Sequence, residues 1–260
     1  MNQKEEQLNA IKQQNEENEK QLDEIHKKNE QINEEKEEMK RQNEELLKKK
    51  EEEYLKLKEE MKNLKIEYPD EWTQQKEDVE LFEIIPNTPT YDFVINDFRK
   101  TVAGQIISLK RIQNQWLFKK YQTELQIELE KKKKKNPLYN FDQNERFLWH
   151  GTRINPMVIV NKGFDLQYAS DGGNFGKAIY FGLNARKSCG YNSFTNQNGN
   201  KFLIYAKVFV GESLNTGFKN FIKPPQKPKS EDTYDSVWYS DELGVYDMHR
   251  FYPYYLLEYK

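Results

Sequence analysis

The feature of this sequence that most limits its possible folds is the uneven distribution of helix-breaking and aromatic residues. Residues 2–66 contain no Gly and no Pro, whereas all nine Pro and all four Trp of the 260-residue chain follow residue 66. Gly and Pro are the least favourable residues in a helix interior, so a polar stretch of this length without them favours one long helix. The sequence therefore predicts a charged helix over residues 1–66, followed by a globular domain with its own core.

Within residues 1–66, apolar side chains recur every seven positions, as they do in a coiled coil. With Leu8 and Leu22 at the first core position of the repeat, the second core position is occupied by Ile11, Ile25, Ile32, Met39 and Leu46. A buried asparagine at the first position fixes the register and the number of helices, and this position holds Asn15, Asn29 and Asn43. The pattern predicts a coiled-coil homodimer or a helical partner. Because Asn18 and Lys36 interrupt the apolar seam, a solitary charged helix is the alternative.

Charge and cysteine content exclude several classes of protein. The chain holds 41 Lys/Arg and 43 Asp/Glu, so no strong overall field favours nucleic acid or a membrane surface. The N-terminus is polar and no apolar run reaches membrane-spanning length. The single Cys189 excludes an intramolecular disulfide and fits a reducing compartment. We therefore expect an intracellular protein, in the nucleus or cytoplasm, with no membrane association and no specific DNA binding.

A proline-containing segment separates the helix from a domain of short strands. The residue before a proline disfavours helical geometry, so the helix should end near Tyr68-Pro69. We expect a linker over residues 67–79 and a domain over residues 80–260. The patterns predict helices at 92–101 and 113–132, and strands at 79–85, 106–112, 147–150, 178–181, 202–210 and 245–259. This composition predicts an α+β domain with largely antiparallel sheets.

The first two motifs of the domain combine polar side chains with glycine. His150 ends an apolar, strand-like run, and Gly151 after it would let a ligand approach the backbone closely. A glycine-rich segment, residues 172–176, precedes Tyr180 on a predicted strand. Each has a simpler interpretation, since a lone His is often structural and a glycine-rich segment is often a turn. The absence of neighbouring His or Cys residues argues against a metal site at His150.

Two later motifs supply a hydroxyl, an aromatic ring and a carboxylate. Ser188 and Tyr191 lie close together in sequence, and Tyr191 with Tyr180 could enclose a flat ring, although both could also be core tyrosines. Asp241-Glu242 directly precedes the apolar tail that is predicted as the closing strand. A carboxylate at the start of a strand can lie at a cleft mouth, but by default it is an exposed acid.

Taken in order, these motifs resemble the poly(ADP-ribose) polymerase group of diphtheria-toxin-like ADP-ribosyltransferases, whose signature is a His-Tyr-Glu triad. His150 lies in Leu-Trp-His-Gly-Thr, and Tyr180 lies in Gly-Lys-Ala-Ile-Tyr-Phe, where the family usually has Gly in place of Ala178. Glu242 is the third member, and the tail Tyr-Pro-Tyr-Tyr-Leu at 252–256 resembles the tankyrases. The resemblance covers about residues 80–260 and implies a largely antiparallel two-sheet ADP-ribosyltransferase domain.

The resemblance also implies that NAD is the co-substrate and that no metal takes part. Gly151, through its backbone, and Ser188, through its hydroxyl, would hold the nicotinamide carboxamide. Tyr191 would stack on the nicotinamide ring, with Tyr180 lining the other side. His150 would hydrogen-bond the adenosine-ribose hydroxyl, and Glu242 would bind the nicotinamide-ribose 2′-hydroxyl.

The third triad residue bears on the product. Relatives that transfer a single ADP-ribose usually have an apolar residue in its place, so Glu242 favours extension to oligo- or poly(ADP-ribose). The segments 110–114 and 234–237 resemble the mono-transferring branch instead, which leaves a mono-ADP-ribosyltransferase as an alternative. A second alternative is an inactive scaffold that binds NAD or ADP-ribose. The expected acceptors are proteins, including this protein itself.

Overall fold

The structure is a computed structural model that describes residues 18, 20–22, 24–38, 40–42, 45, 48, 52, 66–139, 144–169, 172–191, 194–217, 221 and 224–260. The chain divides into two units, Met1–Leu64 and Lys65–Lys260. In the first unit the described residues are helical, and Leu22, Ile25 and Ile32 are exposed. Other positions of the predicted repeat lie outside the described residues: Leu8, Ile11, Asn15, Met39, Asn43 and Leu46. The coiled coil therefore stays a prediction.

The second unit is built on one sheet. Its described residues form nine strands: β1 (Val79–Glu83), β2 (Ile106–Asn114), β3 (Glu145–His150), β4 (Ile179–Gly182), β5 (Lys201–Phe209), β6 (Ser213–Asn215), β7 (Ser236–Tyr239), β8 (Glu242–Val245) and β9 (Phe251–Tyr259). The α-helices are α1 (Pro89–Arg99), α2 (Gln115–Lys135), α3 (Met157–Lys162) and α4 (Ala185–Cys189). The strand order is β1-β2-β9-β5-β3-β4-β8-β7-β6, and every neighbouring pair is antiparallel except β6 and β7. The α+β class is confirmed, whereas the predicted two-sheet arrangement is not.

The predicted closing strand over residues 245–259 begins too early, because β9 starts at Phe251 and Val245 is the last residue of a different strand, β8. β8 pairs with β4, whereas β9 lies between β2 and β5 on the other side of the sheet order. A turn separates them, in which the His249 amide donates to the Asp247 carboxylate at 2.9 Å. The polar residues between the two apolar runs therefore redirect the chain, and Glu242 begins a strand of its own.

The two long helices begin where the sequence offers side-chain caps. Thr88 accepts a hydrogen bond from the Tyr91 amide before α1, and Asn114 accepts one from the Leu117 amide before α2. Both helices lie close to the segments predicted from the sequence. Because successive strand residues face opposite sides, β5 contributes to two cores. Leu203 belongs to one core with the buried faces of α1 and α2, and Ile204 belongs to the other with α3.

The segment 67–79, expected to be a linker, packs on the domain. The Trp72 ring lies 4.9 Å from the Phe118 ring of α2, measured between centroids. The Thr73 amide donates to the Gln113 side chain at 2.8 Å, and Arg111 donates to the Thr73 hydroxyl at 2.9 Å. The aromatic residues of this segment, Tyr68 and Trp72, therefore extend the core of the domain.

Candidate active site

The candidate site lies where β3 and β4 diverge. Among the described residues these neighbouring strands pair through Trp149 and Gly182 alone, and a cavity of about 570 Å³ opens beside that pair. Its volume is within the range of small-molecule sites. The residues predicted from the sequence all line this one cavity: His150, Gly151, Tyr180, Ser188, Tyr191 and Glu242.

His150, the last residue of β3, bridges the gap between the diverging strands. Its Nδ1 lies 2.8 Å from the Tyr180 carbonyl oxygen. Because a carbonyl cannot donate, Nδ1 carries the proton and Nε2 of the neutral ring is an acceptor. The ring meets Phe164 edge to face at 4.9 Å, and burial lowers the pKa of His150 from 6.5 to about 4. The imidazole is therefore a fixed, neutral acceptor at the cavity wall.

Tyr180 organises the glycine-rich segment that closes one side of the cavity. Its hydroxyl donates to the Gly176 carbonyl at 2.7 Å and accepts from the Phe175 amide at 2.8 Å. Gly173 passes so close to this hydroxyl that any side chain there would collide with it. Burial raises the pKa of Tyr180 to about 12, so the hydroxyl keeps its proton at neutral pH. The segment is therefore more than a turn, because it is folded around Tyr180.

Ser188 is held at the cavity by the short helix α4. The Asn184 side chain accepts from the Lys187 amide at 3.0 Å and caps this helix. The buried Ser188 hydroxyl donates to the Trp149 carbonyl at 2.8 Å, which leaves its oxygen as an acceptor. A Cβ on Gly182 would lie 2.5 Å from Ser188 Oγ. The absence of a side chain at residue 182 therefore makes room for this hydroxyl.

Glu242 is the first residue of β8 and lies opposite Gly182 in the ladder with β4. Oε1 accepts from the Tyr191 hydroxyl at 2.8 Å, and Oε2 accepts from the Asn174 amide at 2.6 Å. Lys187 Nζ lies 3.6 Å from Oε2. The default expectation of an exposed acid is wrong, because Glu242 is 2% exposed and accepts hydrogen bonds from two separate segments, the glycine-rich segment and the residues that follow α4.

Four further residues of the cavity were missed in the sequence. Asn174 lies within the glycine-rich segment and Lys187 directly precedes Ser188, but their shared partner Glu242 is distant in sequence, 68 positions after Asn174. Phe164 lies outside every motif, and packing alone brings it to His150. Arg153 follows the His150 motif and lines the cavity together with Lys187. Their positive charge next to a recognised motif was the one feature of the sequence that could have indicated that Arg153 and Lys187 belong to the site.

The described residues contain neither a cluster of metal-binding side chains nor a membrane-spanning helix. Within those ranges, no group of three or more His, Cys, Asp or Glu side chains is placed to hold a metal ion. Among the same residues, no helix is both long enough and apolar enough to cross a membrane.

Comparison with known proteins identifies relatives of this domain. The family described as "Poly(ADP-ribose) polymerase catalytic domain" matches residues 90–221, a range that ends before Glu242. A Dictyostelium discoideum protein named "Probable poly [ADP-ribose] polymerase" is 32% identical over 210 residues, which are 74% of this chain and 57% of that protein. Human and mouse proteins, each named "Protein mono-ADP-ribosyltransferase PARP11", are 28% identical over 229 and 228 residues. These matches cover 76% of this chain, and 64% and 66% of the two proteins.

Proposed function

The chain belongs to the poly(ADP-ribose) polymerase catalytic domain family, and from this premise we propose that it transfers ADP-ribose from NAD to proteins and releases nicotinamide. The observation that supports this most is that His150, Tyr180 and Glu242 converge on one cavity. The chain spans between 57% and 66% of the length of the three relatives described above. The proposal therefore concerns the activity of this domain. It names proteins as the class of acceptor and no individual acceptor.

The nicotinamide end of NAD fits the part of the cavity around Ser188. The backbone of Gly151 offers both a donor and an acceptor to a planar carboxamide, and the Ser188 oxygen can accept from its N–H. Tyr180 and Tyr191 line the same cavity, and Tyr191 is 38% exposed. A flat ring held between two aromatic side chains gains stacking that water cannot replace.

The remainder of NAD meets groups of complementary character. The Nε2 atom of neutral His150 can accept from a hydroxyl of the adenosine ribose. Arg153 and Lys187, two cations that line the cavity, can face the pyrophosphate. The cavity thus offers an acceptor for a hydroxyl and cations for anionic groups.

Glu242 supplies the charge that the reaction needs. When the bond between ribose C1 and the nicotinamide nitrogen breaks, nicotinamide leaves with the electron pair and positive charge develops on the ribose. A carboxylate fixed beside that ribose stabilises the charge, and bound NAD is already oriented for attack. Tyr191 and Asn174 fix the carboxylate by hydrogen bonds at 2.8 and 2.6 Å. The nucleophile comes from the acceptor, so no serine or cysteine nucleophile is required.

We propose further that transfer can continue to oligo- or poly(ADP-ribose). Glu242 supports this, because a carboxylate can accept the proton of a ribose hydroxyl that attacks a second NAD. A single transfer is the second candidate, and the names of the human and mouse relatives favour it. The two candidates differ in product length and share the same donor site.

Transfer of labelled ADP-ribose from NAD tests the proposal. Wild type should label itself or an added protein and release nicotinamide, and Glu242→Gln should reduce elongation about 100-fold, because the carboxylate that stabilises the ribose cation is lost. Asp241→Asn is the matched control, since it makes the same chemical change at the exposed neighbouring residue. If wild type transfers no label and releases no nicotinamide, the domain is not a transferase.

A further inference from the structure

The two faces of β4 distinguish two ends of the cavity. Neighbouring residues of a strand point to opposite faces of the sheet, so Tyr180 points to one face and Phe181 to the other. On the first face, Tyr180 hydrogen-bonds the glycine-rich segment that reaches Glu242. On the second face, the Phe181 ring lies 5.5 Å from the Phe164 ring and 5.7 Å from the His150 ring, measured between centroids. The end on the side of Phe164 is therefore the one that receives the adenosine of NAD in the proposed function.

The residue after Phe164, Asp165, brings a carboxylate to the adenosine end. Asp165 Oδ1 accepts from the Gln167 amide at 2.8 Å and caps the short 3₁₀ helix Leu166–Tyr168. Asp165 lines the cavity, and its Oδ2 has no hydrogen-bond or ion-pair partner among the described residues. One carboxylate oxygen is therefore fixed by the backbone, and the other is available to a ligand.

The surroundings of Asp165 suit a flat, largely apolar base. Ile154, Val158 and Ile159 line the same cavity. Tyr168, on the 3₁₀ helix that Asp165 caps, also lines the cavity and is 67% exposed, so its ring can stack on a base. An apolar wall, an aromatic ring and one carboxylate oxygen together match a purine that carries an exocyclic amine.

We propose that Asp165 is a specificity-determining residue that recognises the 6-amino group of adenine. The inference rests on the proposed function and deepens it, because it names the part of the donor nucleotide that the cavity selects. Adenine carries a hydrogen-bond donor at C6, which the carboxylate accepts, whereas hypoxanthine carries an oxo group there, and two acceptors repel each other. Hypoxanthine keeps a donor at N1, but a carboxylate that reaches this donor also meets the adjacent oxo oxygen. The dinucleotide with adenine is therefore favoured over the one with hypoxanthine.

Asp165→Asn reverses the polarity of this contact. The Gln167 amide is a donor, so it orients the oxygen of the new side chain toward itself, as it orients Oδ1 of Asp165. The NH₂ group then takes the place of Oδ2 and presents donors to C6 of the base. Because asparagine caps a helix as well as aspartate does, the 3₁₀ helix keeps its cap. The variant therefore opposes the amine of adenine and pairs with the oxo group of hypoxanthine.

Nicotinamide release by the full chain, from NAD and from nicotinamide hypoxanthine dinucleotide, tests the proposal. For wild type, kcat/KM should be about ten-fold higher with NAD, the effect of one hydrogen bond to a charged group. For Asp165→Asn, kcat/KM with the hypoxanthine dinucleotide should equal or exceed that with NAD. Asp70→Asn is the matched control, because it makes the same change at an exposed aspartate that does not line the cavity, and its preference should equal that of wild type.

The outcomes separate this inference from the proposed function. A preference for NAD that Asp165→Asn abolishes and Asp70→Asn keeps supports the inference. No preference for NAD in wild type, or a preference that survives in Asp165→Asn, overturns it and leaves the transferase standing. If Asp165→Asn releases no nicotinamide, its calorimetric affinities for the two dinucleotides decide in the same way, and binding of neither overturns the inference. A wild-type protein that releases nicotinamide from neither dinucleotide overturns both.

Discussion

At the scale of single residues, His150 shows how one backbone contact can define a side chain's chemistry. The Tyr180 carbonyl fixes the proton on Nδ1, and burial against Phe164 keeps the ring neutral. The residue is therefore suited to accept a hydrogen bond, and it is not suited to transfer protons at neutral pH. This fits the expectation that it anchors NAD.

The lowered pKa of His150 predicts how stability depends on pH. The unfolded chain binds the proton near pH 6.5, whereas the folded chain binds it only near pH 4. The contribution that neutral His150 makes to the free energy of unfolding is thus fully present above pH 6.5. It is lost as the pH falls from 6.5 through about 4. Relative to His150→Gln, which cannot titrate, wild type should lose at most about 3 kcal/mol between pH 7 and pH 4. Urea unfolding at several pH values measures this, and identical pH dependence in the two proteins would refute it.

The site could be recognised in the sequence where its residues lie in short motifs. Neighbouring residues make it possible to recognise His150-Gly151, Tyr180 and Ser188 in the sequence. Glu242 is recognisable from its spacing to the apolar tail at 252–256. Asn174 could not be found in this way, because its role depends on a partner 68 positions away and on the path of an irregular segment. Local patterns indicate which residues belong to a site, and tertiary packing decides which atoms meet.

At the scale of elements, α2 is tied to the sheet by buried charges. Arg250, in the turn between β8 and β9, forms ion pairs with Glu128 of α2 at 3.2 Å and with Asp235 beside β7 at 2.8 Å. All three side chains are about nine-tenths buried. Such a cluster holds the turn after the strand of Glu242 in place.

Removing Arg250 should therefore destabilise the domain strongly. Arg250→Met removes the cation that joins buried Glu128 to Asp235 and leaves these acids paired only with Lys131 and Lys132, so the free energy of unfolding should fall by about 3 kcal/mol. Lys135→Met is the matched control, because its ion pair with Asp232 is exposed and should contribute less than about 1 kcal/mol. Denaturant unfolding measures both values. A loss below about 1 kcal/mol in Arg250→Met would contradict this account of the cluster.

The lysine run 131–135 at the end of α2 is engaged with acidic side chains. Lys132 pairs with Glu212 and Asp235 at 3.0 and 3.1 Å, and Lys135 pairs with Asp232 at 2.6 Å. The acids that approach these lysines lie in a segment about 80–100 residues later in the chain, so a local sequence pattern cannot reveal the pairs. Lys132 and Lys135 are therefore engaged in ion pairs within the domain.

At the scale of the whole chain, the sequence predicted the class of the domain better than its connectivity. Alternating apolar residues indicated most strands, because the pleat imposes a period of two on any half-buried strand. The single sheet could not be read in the same way, since the order of strands depends on pairings such as β9 between β2 and β5. The coiled coil of residues 1–66 stays a prediction, with Leu22, Ile25 and Ile32 exposed as a seam would be in one isolated chain.

The central claim is that the cavity between β3 and β4 binds the nicotinamide end of NAD. Calorimetric titration of a nicotinamide analogue into wild type, Gly182→Ala and Gly217→Ala tests it most directly. A Cβ on Gly182 would press on Ser188 Oγ, whereas one on Gly217 meets no described atom within 4 Å. We predict that Gly182→Ala weakens binding at least about ten-fold, as the loss of one good hydrogen bond would, and that Gly217→Ala binds like wild type. Equal affinity in all three proteins, or no binding to wild type, would contradict the claim.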